Sequence, residues 1–165
     1  MKTIELRRRY DVGLHSLMTR IGDPARWTDD TTDTAAAPAE VEVSRPVADG
    51  LGLVVRAPLA GDALPDTVKR FLPAGASLVQ SVSAAPFSPT DDTATVRIEA
   101  EVPGAPAQVS IVLELTAQGT ATAARAITRI SSDVPLFGSM VESALEPTIE
   151  RILVDRLERF AAPDA

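Results

Sequence analysis

Hydrophobic and polar residues alternate strictly in several parts of this 165-residue chain. The alternation is clearest over residues 93–102, 107–116 and 121–131, where apolar side chains occupy every second position. A period of two is typical of an antiparallel strand with one buried face and one solvated face. Residues 3–12 alternate in the same way, except that Arg8 falls among the apolar positions. These four segments are therefore predicted to be strands.

Three further strands are predicted in the middle of the chain. The first two, at 39–47 and 51–56, are separated by a turn at 48–50, and this spacing predicts a hairpin. A shorter strand is predicted at 77–83. The complete pattern therefore predicts seven strands.

Apolar residues at helical spacing predict three helices. A short helix at 14–21 ends before Pro24, because proline cannot continue a helix. One or two helical turns are predicted at 64–73, between two prolines. The longest helix is the C-terminal one, within 136–160. Pro147 lies inside it and predicts a bend, since proline lacks the N–H group that a helix needs.

The organisation of the chain follows from these elements. Residues 28–38 are polar, acidic and low in side-chain bulk, which predicts a flexible flap. No repeat or change of composition divides the chain, so residues 1–165 are predicted to form a single domain. A curved antiparallel sheet with the long helix across its dry face would bury every apolar stripe at once. The predicted fold class is α+β.

Three segments of the chain resemble the START-like helix-grip superfamily, which includes birch-pollen-allergen-like proteins, polyketide cyclases and lipid-transfer domains. The first strand and its short helix end at Gly22-Asp23-Pro24, with Trp27 after them. Residues 134–142 (VPLFGSMVE) and 64–72 (LPDTVKRFL) are similar to segments of a bacterial family of unknown function, DUF2505. The resemblance implies a helix-grip fold, in which a curved seven-stranded antiparallel sheet wraps around a long C-terminal helix.

The resemblance also implies a ligand. Relatives generally bind lipids, fatty acids, polyketides or other apolar molecules in a cavity between sheet and helix. The candidate lining residues lie on the predicted inner faces: Leu53, Val55, Val96, Ile98, Ile111, Leu113, Thr128, Met140, Leu145, Ile149 and Leu153. The alternative is that these side chains simply fill the core. Residues 69–72 are interpreted as a lid over the cavity.

Two residues of the first strand are candidate polar contacts for the ligand. Arg8 would bind a ligand carboxylate or phosphate through a forked hydrogen bond if it pointed into the cavity. The alternative is a strand bulge, or an arginine that reaches solvent at the sheet edge. Tyr10 is the second candidate, although tyrosines at such positions are more often core residues.

Composition narrows the function classes. The chain has 16 Lys and Arg against 23 Asp and Glu, a net charge of −7, which argues against binding to nucleic-acid phosphates. It has no cysteine and one histidine, His15, which excludes thiolate zinc sites and leaves little for a histidine metal site. We therefore expect no metal and no cofactor. The chain has no apolar stretch near the ~20 residues of a membrane span and no apolar signal segment, so a cytoplasmic protein without membrane insertion is expected.

Catalysis receives little support from the sequence. Acid–base chemistry needs titratable groups that converge in a pocket, and the Asp and Glu residues fall on the outer faces of the predicted strands. The sequence therefore favours a protein that sequesters a hydrophobic small molecule. A polyketide cyclase-like or dehydratase-like enzyme and an interaction module with a filled core stay open as alternatives, and a weak homodimer is left open.

Overall fold

The structure is a computed structural model that describes residues 1–28, 39–59, 64–72, 74–105 and 107–162. The strands are β1 (Lys2–Tyr10), β2 (Glu40–Arg45), β3 (Gly52–Pro58), β4 (Ser77–Ala84), β5 (Thr93–Glu101), β6 (Ala107–Gln118) and β7 (Ala121–Ser132). The helices are α1 (Leu14–Ile21), α2 (Ala25–Thr28), α3 (Asp66–Lys69) and α4 (Gly138–Ala161), and one turn of 3₁₀ helix covers Val47–Asp49. Every predicted strand is present to within a few residues at each end.

The strands form one seven-stranded sheet in the order β1-β7-β6-β5-β4-β3-β2. Every neighbouring pair is antiparallel, and β2 with β3 forms the predicted hairpin. The last strand therefore pairs with the first, and β1 and β2 are the two edges of the sheet. This arrangement, with the long final helix, confirms the predicted α+β class.

The inner face of the sheet packs against α4. Along β6 every second residue is buried, as the alternation predicts: Val109, Ile111, Leu113 and Leu115. The helix α4 contacts β1 and β7 and buries one stripe of its surface. Its buried apolar residues are Val141, Leu145, Leu153, Leu157 and Phe160. Most of the core thus lies between the sheet and this helix, and the short helices add to it.

We call α1, α2 and the C-terminal turns of α4 the packed end of the molecule. All four stripe residues of α1 are buried, and Met18 is 0% exposed. The Arg20 Nη1 atom donates to the carbonyls of Phe160, at 3.0 Å, and Ala162, at 2.8 Å. Such contacts satisfy carbonyls that the last helical turn leaves without partners. They hold α1 against the end of α4.

The long helix differs slightly from its prediction. It begins at Gly138 rather than 136, because Leu136 has a left-handed φ of 67° that is incompatible with a helix. Gly138 is required there, since a Cβ atom at this position would lie 2.9 Å from the Ser132 carbonyl oxygen. The helix continues through Pro147 to Ala161. None of the helices within the described ranges is both long and apolar enough to cross a membrane.

The predicted flap lies outside the described residues, except for Thr28, which is the last residue of α2.

Charged side chains form a ladder across the outer, solvated face of β1, β7 and β6. The Arg7 Nε and Arg125 Nε atoms donate to Glu5 Oε1, at 2.8 and 2.9 Å. The Arg125 Nη1 atom lies 3.1 Å from Glu114 Oε2. The hydrogen bonds from Arg125 and then Arg7 lower the pKa of Glu5 from 4.5 to about 2. Pairs of opposite charge across neighbouring strands are a usual source of modest sheet stability.

Candidate functional site

A cavity of about 130 Å³ lies between the sheet and the middle of α4. From the inner face of the sheet it is lined by Leu78, Gln80, Ile98, Ala100, Val109 and Ile111. From α4 it is lined by Val141, Leu145, Ile149, Ile152, Leu153 and Arg156. The wall is therefore almost entirely apolar. We call this part of the molecule, together with α3 and the β5–β6 turn, the hollow end.

The segment 64–72, which includes the residues interpreted above as a lid, covers one side of the cavity. Leu64, Val68, Phe71 and Leu72 all line it. Of these four, Val68 is buried and the others are half-buried. The helix α3 contacts α4 directly, so the cover rests on the long helix through a single short element.

An arginine and a glutamine form a polar pair on the cavity wall. Gln80 on β4 is 7% exposed, and its Oε1 atom accepts a hydrogen bond from Arg156 Nη1. The Arg156 Cζ atom also lies 5.0 Å from the ring centroid of Trp27. Trp27 is itself held by its Nε1–H, which donates to the Ile21 carbonyl at 2.8 Å. The guanidinium group is thus fixed on one face by a ring and at one edge by an amide.

The sequence contained a signal for both members of this pair. Gln80 alternates in phase with the inner-facing Leu78 and Val82. Arg156 lies four residues after Ile152 and four before Phe160, within the apolar stripe of α4. The spacing thus places one polar residue among the apolar positions of each element, but no local pattern pairs residues so far apart in sequence.

The structure places five of the eleven predicted lining residues on the cavity wall: Ile98, Ile111, Leu145, Ile149 and Leu153. Five others are at most 2% exposed but lie in packed core, away from the wall: Leu53, Val55, Val96, Leu113 and Thr128. Met140 is 41% exposed on the surface at the start of α4. Ten of the eleven predicted lining residues therefore face the interior, as expected. Facing the interior does not determine which side chains border the cavity.

Arg8 does not point into the cavity. It is exposed, and its Nη1 atom donates to the Arg7 carbonyl at 2.9 Å. Because β1 is an edge strand, the long side chain can leave the inner face and keep its charge in water. This is the edge alternative that the alternation left open.

Tyr10 lies at the packed end, where it lines a separate depression with Arg20 and Glu158. Its hydroxyl is buried and has no hydrogen-bond partner among the described residues. Burial raises the pKa of Tyr10, with Arg8 opposing this shift and Glu158 adding to it. The structure thus separates Tyr10 from the cavity that α4 and the sheet enclose.

Comparison with known proteins gives one family and one fold. A family model described as "Protein of unknown function (DUF2505)" matches residues 5–162. No curated protein matches the sequence. The family match covers all the strands and helices described above except the first few residues of β1, and thus includes every residue of the cavity wall.

Several solved structures share the architecture. The ZhuI aromatase/cyclase from Streptomyces sp. R1128 is 11% identical, with a TM-score of 0.58 over 96% of this chain and 93% of that chain. The Mll3558 protein from Rhizobium loti is 15% identical, with a TM-score of 0.57 over 97% and 94%. A norcoclaurine synthase variant from Thalictrum is 10% identical, with a TM-score of 0.55 over 97% and 93%. Similarity at such identities shows the fold, and it confirms the predicted helix-grip architecture.

Proposed function

We propose that this chain, which belongs to the DUF2505 family of proteins of unknown function, binds a small apolar or amphipathic molecule between its sheet and α4. The observation that carries the proposal is the apolar cavity of about 130 Å³. Well-packed domains contain few voids larger than a water molecule. A space of this size beside the core leaves apolar side chains without packing partners, and an apolar ligand would supply them.

The size of the cavity bounds the ligand. An apolar cavity of about 150 Å³ stays dry and binds benzene, so this one accommodates a body of roughly six carbon atoms without rearrangement. Burial of six carbons contributes about 5 kcal/mol at about 0.8 kcal/mol each. Affinity for a purely apolar probe is therefore expected to be no tighter than about millimolar, about −4 kcal/mol, because the costs of immobilisation reduce the gain from burial.

The same cavity argues against the interaction module with a filled core. That alternative requires α4 to pack continuously on the sheet. At the hollow end, Ile149 and Ile152 are only half-buried although they face the sheet side of the helix. We therefore favour a binding function over a purely structural one.

A direct test uses benzene as the probe and two alanines of β5 as matched sites. Ala100 lines the cavity, whereas Ala94 lies on the same inner face, equally half-buried, and away from the wall. We expect Ala100→Leu to fill the space and weaken benzene binding at least tenfold, measured by titration followed with NMR. Ala94→Leu should leave binding within about twofold of the wild type.

Two results would contradict the proposal. Wild-type protein that shows no saturable benzene binding would remove it, and so would equal loss of binding in both variants. Native mass spectrometry of protein purified from its own cells extends the test to the physiological ligand. A co-purified apolar molecule that Ala100→Leu excludes is the expected result.

One observation favours a second candidate function, an enzyme that cyclises a ketone substrate. A substrate carbonyl at the wall would accept a hydrogen bond from the Gln80 side-chain amide, whose oxygen is already bonded to Arg156, and this would polarise the carbonyl for attack. Proton transfer needs a titratable group at the cavity, and the lining offers Glu101, which is exposed at the rim. An enzyme of this kind should exchange the α-protons of a bound ketone with D₂O, and Glu101→Gln should abolish that exchange.

A further inference from the structure

A buried amide on the cavity wall has hydrogen-bond donors that the protein does not use. Gln80 is 7% exposed and lines the cavity from β4. Its Oε1 atom accepts a hydrogen bond from Arg156 Nη1, but its Nε2 atom has no hydrogen-bond partner among the described residues. Buried polar groups are nearly always hydrogen-bonded. The Gln80 NH₂ group is therefore expected to have a partner that comes from outside the chain.

The orientation of this amide follows from the chemistry of its neighbour. An arginine side chain has N–H donors and no acceptor, so the oxygen of Gln80, and not its nitrogen, must face Arg156. The oxygen and the nitrogen of an amide lie on opposite sides of the amide carbon. The NH₂ group is therefore turned away from Arg156.

The NH₂ group can be reached from the cavity. Gln80 lies directly opposite Ala100 in the register of β4 and β5, and both residues line the cavity. A methyl group at the opposite position leaves space beside the longer amide side chain. Within the described ranges, the fully enclosed side-chain atoms without a partner are the hydroxyls of Tyr10 and Thr128. The Gln80 Nε2 atom is thus not sealed off by protein, and a small molecule in the cavity can contact it.

We infer that the ligand is a compact carbonyl compound, such as a ketone, an aldehyde or an ester, whose carbonyl oxygen accepts a hydrogen bond from the Gln80 NH₂ group. The inference rests on the proposed binding function and names the class of ligand for it. A buried donor without a partner carries the full cost of its lost hydration. An acceptor on the ligand removes this cost, whereas a pure hydrocarbon leaves it in place.

A carbonyl oxygen fits this position better than a hydroxyl group. A carbonyl only accepts hydrogen bonds, and the Gln80 NH₂ group only donates them. A hydroxyl group would bring an O–H donor that needs an acceptor, and the Gln80 oxygen already accepts from Arg156. The cavity of about 130 Å³ limits the hydrocarbon body to roughly six carbons. Cyclohexanone has this size and is a suitable probe.

The test compares cyclohexanone with methylenecyclohexane, in which a CH₂ group replaces the carbonyl oxygen and the shape is kept. Titrations followed by NMR give both affinities in each variant, and the measured quantity is how much each affinity changes on substitution. Gln80→Met removes the donors and keeps an unbranched side chain of similar length. We expect cyclohexanone to bind at least fivefold more weakly to this variant, because its oxygen loses its partner. Methylenecyclohexane should stay within twofold of its wild-type affinity.

Two further variants make the assignment specific. Gln108→Met makes the same substitution at an exposed position of β6, and both affinities should stay within twofold of the wild type. Gln80→Glu keeps an oxygen for Arg156 but replaces the NH₂ group with a second oxygen. At pH 8, cyclohexanone should again bind at least fivefold more weakly. This variant decides the question if circular dichroism shows that Gln80→Met does not fold.

The carbonyl carbon of labelled cyclohexanone reports on the hydrogen bond directly. Donation of a hydrogen bond to a carbonyl oxygen moves the ¹³C resonance of its carbon downfield. The resonance of bound cyclohexanone should therefore lie further downfield in the wild type than in Gln80→Met or Gln80→Glu. An unchanged resonance in the folded variants would overturn the assignment of Gln80 as the donor.

The outcomes separate this inference from the function on which it rests. If neither probe binds to the wild type, both proposals fail together. If methylenecyclohexane binds but cyclohexanone does not, the carbonyl assignment is wrong and the apolar cavity function stands. If the Gln80 variants weaken both probes equally, or keep full affinity for cyclohexanone, the role of Gln80 as a donor is overturned.

Discussion

The packed end and the hollow end of this molecule are built from the same kind of sequence and reach different densities. At the packed end the eight-residue α1 buries four apolar side chains against α4 and the sheet. At the hollow end the four-residue α3 buries one, Val68. Both ends have alternating strands below and α4 above. The difference therefore arises from how much side-chain volume the covering element supplies.

Small residues add to this difference. Ala100, Ala105 and Ala107 all line the cavity, and two of them belong to strands whose next inward positions carry larger residues. A cavity forms where a short cover and short side chains coincide. The cavity volume thus depends on side chains from several elements, and no single strand determines it.

Truncation of one aromatic residue at each end is expected to give the largest difference in stability between the two ends. Trp27→Ala should lower the free energy of unfolding by about 3–5 kcal/mol, because it opens a cavity in close-packed core. Phe71→Ala should cost less than about 2 kcal/mol, since the ring is half-buried and already borders empty space. Urea denaturation followed by circular dichroism gives both values. Equal costs would show that the two ends are equally packed.

Two threonines of β7, both 0% exposed, offer a finer comparison. At the packed end the Thr122 hydroxyl donates to the Val12 carbonyl at 2.7 Å. Thr128 pairs in register with the cavity residue Ile111, and its hydroxyl has no partner within the described part of the chain. Thr122→Val should therefore destabilise by about 1–2 kcal/mol, and Thr128→Val should stabilise by about 1 kcal/mol.

Thermal unfolding of the two valine variants measures this pair. Each replacement conserves shape, so a difference in sign reports on the hydrogen bond rather than on packing. A loss of stability in Thr128→Val would mean that its hydroxyl has a hydrogen-bond partner, such as a buried water molecule.

The smallest expected change in stability concerns Glu5 on the outer face of the sheet, which belongs to neither end. The folded-state pKa of Glu5, about 2, is below its ordinary value of 4.5. The stability from its charge is therefore fully present above pH 4.5 and is lost as the pH falls from 4.5 to about 2. Glu5→Gln should be less stable than wild type at pH 7, and the difference should vanish over that window.

The pH dependence of the urea midpoint checks this prediction. Glu40→Gln removes the same charge from the exposed edge strand β2 and is the matched control. A Glu5 effect that persists unchanged at pH 2 would show that the ladder with Arg7 and Arg125 is not its source.

Most of the fold could be predicted from the sequence because its strands are half-buried. Period-two alternation follows from one dry and one wet face, so the positions of β5, β6 and β7 were predicted well. The stripe of α1 was also predicted correctly, since an amphipathic helix shows its buried face directly. The local sequence pattern shows which side chains of these strands and of α1 are buried, and that burial is what stabilises them.

The candidate site was less predictable for a physical reason. Ile111 and Leu113 are two positions apart on β6 and both face inward, yet only Ile111 borders the cavity. The distinction depends on the volumes of side chains from β4, α3 and α4, which are far apart in sequence. Arg156 lies within the apolar stripe of α4 by spacing, but an arginine at such a position usually carries its charge to solvent. Its contact with Gln80 depends on a strand that is far away in sequence.

Pro147 lies in the part of α4 that lines the cavity. Pro147 has no N–H, so the Ser143 carbonyl lacks its partner in the helix at this one step. Val141 and Leu145 line the cavity before this proline, and Ile149 and Arg156 line it after the proline. The helix therefore has one backbone hydrogen bond fewer beside the cavity than elsewhere along its length. Bending of α4 is expected to be easiest at this point of the wall.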